Sequence, residues 1–197
     1  MGAHFKTPRT IRLAREYEEM KAYKKDSSIL DFEVSGDPPD RYLITFHGNS
    51  LVPGGKGGEG VTIGKKQQVL LTLGGEYPRS RPDIQWKTPI VHPNINTHSV
   101  CLGNYANSWT PYFRLVDLIE ILWDYSRLAI LNPEGGYRQQ YGQKEWESMR
   151  RHFKFPVDLR PLRDKALPDN VGSSVLRPGG DAYDIVIMPE GEGGCES

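Results

Sequence analysis

Five prolines stand at positions 78, 82, 89, 93 and 111. Each removes a backbone donor and fixes φ, so neither a helix nor a central strand of ordinary length can run through residues 77–111. That stretch divides the chain. Before it the apolar residues mostly alternate with period two, and after it they recur with helical spacing. A long, stiffened, irregular segment between a sheet-forming half and a helix-forming half is a costly arrangement unless something must be held there.

The flanking patterns supply the elements. Thr7-Pro8 is an N-cap and first-turn pair, followed by Leu13, Ala14, Tyr17 and Met20, which predicts an amphipathic helix over about 8–24. Its other face carries Arg9, Arg12, Glu16 and Glu19 and reads as solvated. Leu30, Phe32 and Val34 alternate, as do Tyr42, Ile44 and Phe46 beyond the turn residues Gly36-Asp37-Pro38-Pro39, giving two antiparallel strands. Val69–Leu73 suits a central strand and Ile84 with Trp86 a further short one, for a sheet of about four strands. Residues 48–64 contain seven glycines and read as a mobile connection. Leu115, Leu118, Ile119 and Leu122 form a buried helix face ending near Ser126, and Tyr137 to Phe153 suggest one or two more helices. One helix, a run of antiparallel strands, then helices describes an α+β domain. The expected division is a domain over 1–155 and a Pro/Gly-rich extension over 156–197, partly ordered at best, in which only Tyr183–Met188 could be a strand.

With 197 residues and 22.3 kDa, one hydrophobic core suffices without metals or disulfides. The 25 basic and 25 acidic residues cancel, giving a pI near 7.0, so no net field favours nucleic acid or anionic lipid, and neither is expected as a partner. No apolar run is long enough for a membrane span or a signal peptide, and the expected location is cytoplasmic. The last residues, 178–197, carry five acids and no Lys or Arg. The glycines at 54–60 have no Gly-Lys-Ser/Thr ending and precede no helix, which argues against a phosphate loop. Cys101 and Cys195 are the only cysteines and stand in different settings, so no disulfide framework is expected and each thiol is read alone. His98 and Cys101 give only a weak His-x-x-Cys, so neither a metal nor a cofactor is expected.

The chemically suggestive residues lie in the proline-rich stretch: Tyr77-Pro78 with Pro82, His92-Pro93-Asn94, Cys101-Leu102, Trp109-Thr110-Pro111, and then Asn132-Pro133 after the long helix. In this order and near this spacing they resemble the ubiquitin-conjugating enzymes, over roughly residues 9–153. The resemblance implies the UBC-like α+β fold and a transferase that carries ubiquitin or a ubiquitin-like modifier as a thioester on cysteine. It implies that Cys101 accepts the modifier from an activating enzyme. A thiolate suits that step, being a strong nucleophile whose thioester can acylate an amine without further ATP. A buried structural thiol between Val100 and Leu102 is the competing reading of the same residue.

By the same resemblance Asn94 orients its loop and donates to the oxyanion formed when an amine attacks the thioester. His92, Pro93 and Trp109 support that loop, Glu134 guides the acceptor amine on a protein, and Arg9, Arg12 and Arg15 on the first helix contact the activating enzyme. His98 is the nearer candidate for local acid or base work. Three features depart from the family pattern. Asn94 precedes Cys101 by seven residues where the family usually has eight. Ser99 stands near the place of a common glycine. Arg79 occupies the position of an exposed aromatic offered to RING-type ligases, and a guanidinium enters an apolar pocket only at a desolvation cost of several kcal/mol. A ligase of non-standard type, contacting Arg79, Pro111 and Tyr112, is therefore the expected form of that partner. The glycine-rich span and proline-rich tail look similar to bacterial stand-alone members. The alternative is a non-catalytic modifier-binding or scaffold module of the same fold.

Overall fold

The computed structural model describes residues 7–54, 60–96, 99–131 and 149–166, together with the backbone of Val186 and Ile187. Helix α1 runs Pro8–Lys25. The Thr7 side chain accepts from Thr10 N at 3.1 Å, and Lys24 and Lys25 sit in the last turn, where positive charge complements the helix dipole. Strands β1 (Leu30–Gly36) and β2 (Pro39–Phe46) pair antiparallel around a turn in which Gly36 takes φ +97°, a conformation costly for any residue with a Cβ. Strands β5 (Gln67–Thr72) and β6 (Asp83–Trp86) complete a four-stranded antiparallel sheet in the order β1-β2-β5-β6.

The register aligns one apolar face. Phe32, Ile44, Val69 and Trp86 lie in one row across the four strands, and Val34, Tyr42, Leu71 and Ile84 in the next. That face and α1 enclose a core completed by α3 (Leu115–Ser126), whose Leu118, Ile119 and Leu122 are buried as the spacing predicts. The Phe46 and Trp123 rings meet at 5.6 Å between centroids, and α3 is capped by Asp117, whose carboxylate accepts from Arg114 N at 3.1 Å. Between β6 and α3 lies the proline-rich stretch, carrying the short helix α2 (Asn104–Asn107). After α3, β7 (Ile130–Leu131) pairs in parallel with β8 (Val186–Ile187).

Two expectations change. Residues 48–64 are not merely a connection: β3 (Ser50–Pro53) and β4 (Val61–Gly64) form an antiparallel hairpin, with residues 55–59 outside the description. Leu51 is fully buried in a second apolar cluster with Val91, Leu128, Leu131 and Met149, and its carbonyl accepts from Val91 N at 2.8 Å. The four-residue alternations are weak beside so many glycines, and tertiary burial supplies what local propensity lacks.

The other change concerns residues 156–166, which pack on the domain. Leu162 is buried in the main core, Ser27 Oγ donates to its carbonyl, and Trp123 Nε1 donates to Arg160 O at 3.0 Å. Asp158 accepts from Asn49 N at 2.9 Å and from the Arg160 guanidinium at 2.7 Å. Burial alone would push its carboxyl up. Arg160 and the backbone donors outweigh that and hold it below the usual range. Gly48 sits so close under Trp123 and Asp158 that a Cβ there would overlap the indole. The packed structure thus continues past the expected boundary at 155, to Ala166. The helices expected at 137–153 fall largely outside the described residues, and only the turn beginning at Met149, with Phe153 N bonded to Met149 O at 2.8 Å, is seen.

Truncation after Lys154 should therefore cost at least about 3 kcal/mol, from Leu162 and the polar ties lost with it. Compared under reducing conditions, the chain truncated after Ala166 should be more stable than the one truncated after Lys154 by about that margin. Urea denaturation of the two shortened chains checks this, and equal stabilities would contradict it.

Candidate functional site

The Pro93–Cys101 segment is a tight hairpin. Cys101 N donates to Asn94 O at 2.8 Å, Ile95 and Val100 form an isolated antiparallel bridge, and Asn96 N donates to Ser99 O at 3.1 Å. Asn96 closes the turn through its side chain, accepting from Ser99 N at 3.2 Å and from Ser99 Oγ at 2.7 Å. The seven-residue spacing thus places Asn94 and Cys101 directly opposite one another. Residues 97 and 98, and with them the candidate His98, lie outside the described residues.

His92 fixes the base of this hairpin. One ring nitrogen, Nε2, faces the carbonyl of Ile130 at 3.1 Å, and the other, Nδ1, accepts from Asn94 N at 3.0 Å. A carbonyl can only accept and a backbone N–H can only donate, so the ring is neutral with its proton on Nε2. Complete burial favours the same form, pulling the imidazole down to about 3 although the Ile130 carbonyl favours the cation. His92 braces the loop and does not exchange protons near neutral pH.

This neutrality has a sign. The folded imidazole titrates near 3 and the unfolded one near 6.5, so its contribution is fully present above about pH 6.5 and is lost as pH falls. Stability should decline by up to about 1.4 kcal/mol per pH unit through that window. His92→Gln should start less stable but lack this component of the slope in urea melts. Parallel slopes for the two proteins would contradict the assignment.

Cys101 and Asn94 are both buried, at 8% and 1% exposure. Cys101 is in a disulfide, its partner lying outside the described residues, which corrects the expectation that each thiol stands alone. Pro93 is buried beneath the hairpin. Trp109, on the far side of α2, donates from Nε1 to Pro78 O at 2.9 Å, with ring centroids 5.1 Å from Phe113 and 6.2 Å from Tyr77. It ties the segment that follows Cys101 to the Tyr77-Pro78 loop.

The residues expected on the first helix separate. Arg15 is exposed and, among the described residues, is paired with Glu19. Arg9 donates to the carbonyls of Leu73 at 2.7 Å and Gly74 at 3.2 Å. Arg12 donates to Pro111 O at 2.8 Å, Phe113 O at 2.6 Å and Glu16 at 2.6 Å. Arg9 and Arg12 are thus taken up in ties within the chain. Glu16, read from the sequence as solvated, is 1% exposed: its carboxylate accepts from Arg12, from Tyr77 OH at 2.5 Å and from Leu115 N at 2.9 Å. These three donors offset the cost of burying its charge and join α1 to the start of α3 and the Tyr77 loop. Its place in the sequence carried a signal, because position 16 falls within the stripe of Leu13, Tyr17 and Met20. Arg79, Pro111 and Tyr112 are all exposed, Tyr112 at 91%. Glu134 lies outside the described residues, as does Asn132-Pro133.

An antiparallel sheet covered by two helices, with a cysteine-bearing hairpin braced between sheet and α3, defines the class of domain. No family model matches the chain. Among curated proteins it is similar to ubiquitin-conjugating enzymes: it is 29% identical over 111 residues to ubiquitin-conjugating enzyme E2-23 kDa of Triticum aestivum, covering 54% of this chain and 53% of that protein. It is 28% identical over 110 residues to ubiquitin-conjugating enzyme E2 6 of Arabidopsis thaliana, covering 54% and 53%. The chain spans about half the length of these relatives. Among solved structures, human ubiquitin-conjugating enzyme E2 G1 aligns with a TM-score of 0.45 at 20% identity, covering 59% of this chain and 92% of that one. Among the described residues, no helix is long and apolar enough to cross a membrane.

Proposed function

We propose that this chain is a ubiquitin-conjugating-like transferase that accepts a ubiquitin or ubiquitin-like modifier as a thioester on Cys101 and passes it to an amine on a protein. One observation carries the reading: Cys101 is held on a braced hairpin directly opposite Asn94, with the main-chain bond at 2.8 Å. The similarity to conjugating enzymes supports reading that hairpin as the transfer site.

In this reading the reduced Cys101 thiolate attacks the thioester presented by the activating enzyme, and the carrier's thiolate leaves. An acceptor amine then attacks the new thioester, an oxyanion forms, and the Cys101 thiolate departs. The neutral His92 holds the loop through both half-reactions without competing for a proton. Asn94 is the candidate oxyanion donor, and Glu134 the candidate guide for the amine. With Arg9 and Arg12 engaged internally, Arg15 is the residue of that trio left to meet the activating enzyme. Exposed beside Pro111 and Tyr112, Arg79 presents a guanidinium that an apolar ligase pocket would take only at a desolvation cost, which supports a ligase of non-standard type. The glycine-rich span and proline-rich tail support the narrower reading of a bacterial stand-alone member, whose gene should lie beside genes for a diglycine-ended small protein and an adenylating enzyme.

Incubating the reduced, desalted protein with the activating enzyme, modifier and ATP tests the reading. A covalent adduct that thiols remove is expected. Non-covalent modifier binding with no adduct would replace the reading with a scaffold role.

A further inference from the structure

Among the described residues, Leu128 is the only one other than glycine with a positive φ, +61°. It stands where α3 ends, and the bonds around it define that ending. Leu128 N donates to Tyr125 O at 3.1 Å and Ala129 N to Asp124 O at 2.8 Å. This pair of reversed bonds is a Schellman turn, whose left-handed residue is commonly glycine because a Cβ is strained there. Glycine would make both bonds with less strain, so the helix ending does not account for a leucine. A side chain kept at a strained position points to a task of its own.

That side chain is fully buried, in the second apolar cluster with Leu51, Val91, Leu131 and Met149. Two of these neighbours flank the brace of the cysteine hairpin. Val91 precedes His92, and Leu131 follows Ile130, whose carbonyl faces His92 Nε2 at 3.1 Å. From His92 the bonds continue to Asn94 N at 3.0 Å, and from Asn94 O to Cys101 N at 2.8 Å. The turn is also fixed from its other side. Arg127 O accepts from Val157 N at 2.9 Å, and the Arg127 guanidinium donates to Asp158 O at 3.0 Å. Leu128 thus lies between a backbone tied to residues 157–158 and the two segments whose spacing sets where the His92 ring meets its carbonyl.

We propose that Leu128 is a positioning residue for the Cys101 hairpin: its buried side chain, carried on the left-handed turn, holds Ile130 against His92 and so keeps Asn94 and Cys101 facing one another. Its bearing on transfer rests on the function proposed above, but its hold on His92 does not. The means is close packing between two chain segments. Without the side chain, Val91 and Leu131 lose a surface they share, and one hydrogen bond is left to hold ring and carbonyl together.

The test uses the full chain, reduced. Leu128→Gly keeps the turn, relieves its strain and deletes the side chain, whereas Leu128→Met retains most of the side-chain volume. Leu13→Ala, in the main core, supplies a loss of stability away from the hairpin. Ring nitrogen NMR reports the brace, with the His92 signals assigned by their absence in His92→Gln, and the parent should show Nε2 protonated and Nδ1 bare. In Leu128→Gly the Nε2 proton and the Cys101 amide proton should exchange with water about tenfold faster or more, and discharge of pre-formed thioester should fall about tenfold. Leu128→Met and Leu13→Ala, compared well below their melting temperatures, should stay within about twofold of the parent. Val91→Ala trims the opposite wall and should speed both exchanges in the same direction, which keeps the test open if Leu128→Gly fails to fold. If leucine served only to end α3, Leu128→Gly would exchange like the parent, and that result would overturn the proposal. Equal loosening in Leu13→Ala would overturn it as well, since any loss of stability would then do. Faster exchange in Leu128→Gly with no modifier adduct on the parent would leave the positioning role standing and remove the transferase reading, and a normal adduct with unchanged exchange would do the reverse.

Discussion

Asn94→Ala should charge with modifier almost as the parent does, yet discharge to an amine about 10²- to 10³-fold more slowly, the usual effect of deleting one oxyanion donor. The structure makes this separation possible. Two of the bonds by which Asn94 holds the hairpin, from its N to His92 at 3.0 Å and from Cys101 N to its O at 2.8 Å, run through the main chain, which alanine keeps. Charging is set largely by the activating enzyme's own geometry, whereas discharge depends on what stabilises the tetrahedral oxyanion at Cys101. If Asn94 only shaped the loop, the variant would lose thermal stability and both half-reactions would fall together. Single-turnover discharge of pre-formed thioester, with melting followed in parallel, separates the two. Equal discharge rates for variant and parent would remove Asn94 from the catalytic residues.

The parts of the fold that were legible in the sequence are those where local pattern and tertiary burial agree. Leu115 to Ser126 repeats at helical spacing and packs on that face. Phe32, Ile44, Val69 and Trp86 sit on alternating runs and share one row of the sheet. The β3–β4 hairpin was not legible, because its short strands flank a glycine-rich sequence and owe their order to Leu51 entering a remote cluster. Residues 156–166 were hidden for a similar reason. Pro156 and Pro161 read as punctuation, but the segment is held by carbonyls, by Asp158 and by Leu162, none of which has a periodic signature.

At the site the motifs marked the hairpin, while its mechanics needed coordinates. The spacing from Asn94 to Cys101 looked short beside the family pattern and is the span of a tight hairpin whose ends pair. Arg12 and Glu16 read as a solvated helix face. In the fold they form the joint between α1, the Tyr77 loop and α3, because an arginine at a part-buried seam can reach the Pro111 and Phe113 carbonyls. Charged residues inside an apolar stripe are the sequence signal for such joints, and position 16 carried it.

The second large effect concerns Cys101. The sulfur is the only atom of this chain that bonds to the modifier in the proposed mechanism, so Cys101→Ala should abolish the adduct altogether. Cys101→Ser should form at most a slow oxygen ester, because a serine hydroxyl is almost entirely protonated near neutral pH while a cysteine thiol supplies a fraction of thiolate. The two esters differ in a way that is easily read. A thiol exchanges with a thioester and leaves an oxygen ester intact.

The most direct measurement is therefore intact mass after charging pre-reduced parent, Cys101→Ser and Cys101→Ala, with and without added thiol. The account predicts a thiol-labile modifier adduct on the parent, a slower thiol-resistant one on Cys101→Ser, and none on Cys101→Ala. A thiol-labile adduct that persists in Cys101→Ala would contradict it.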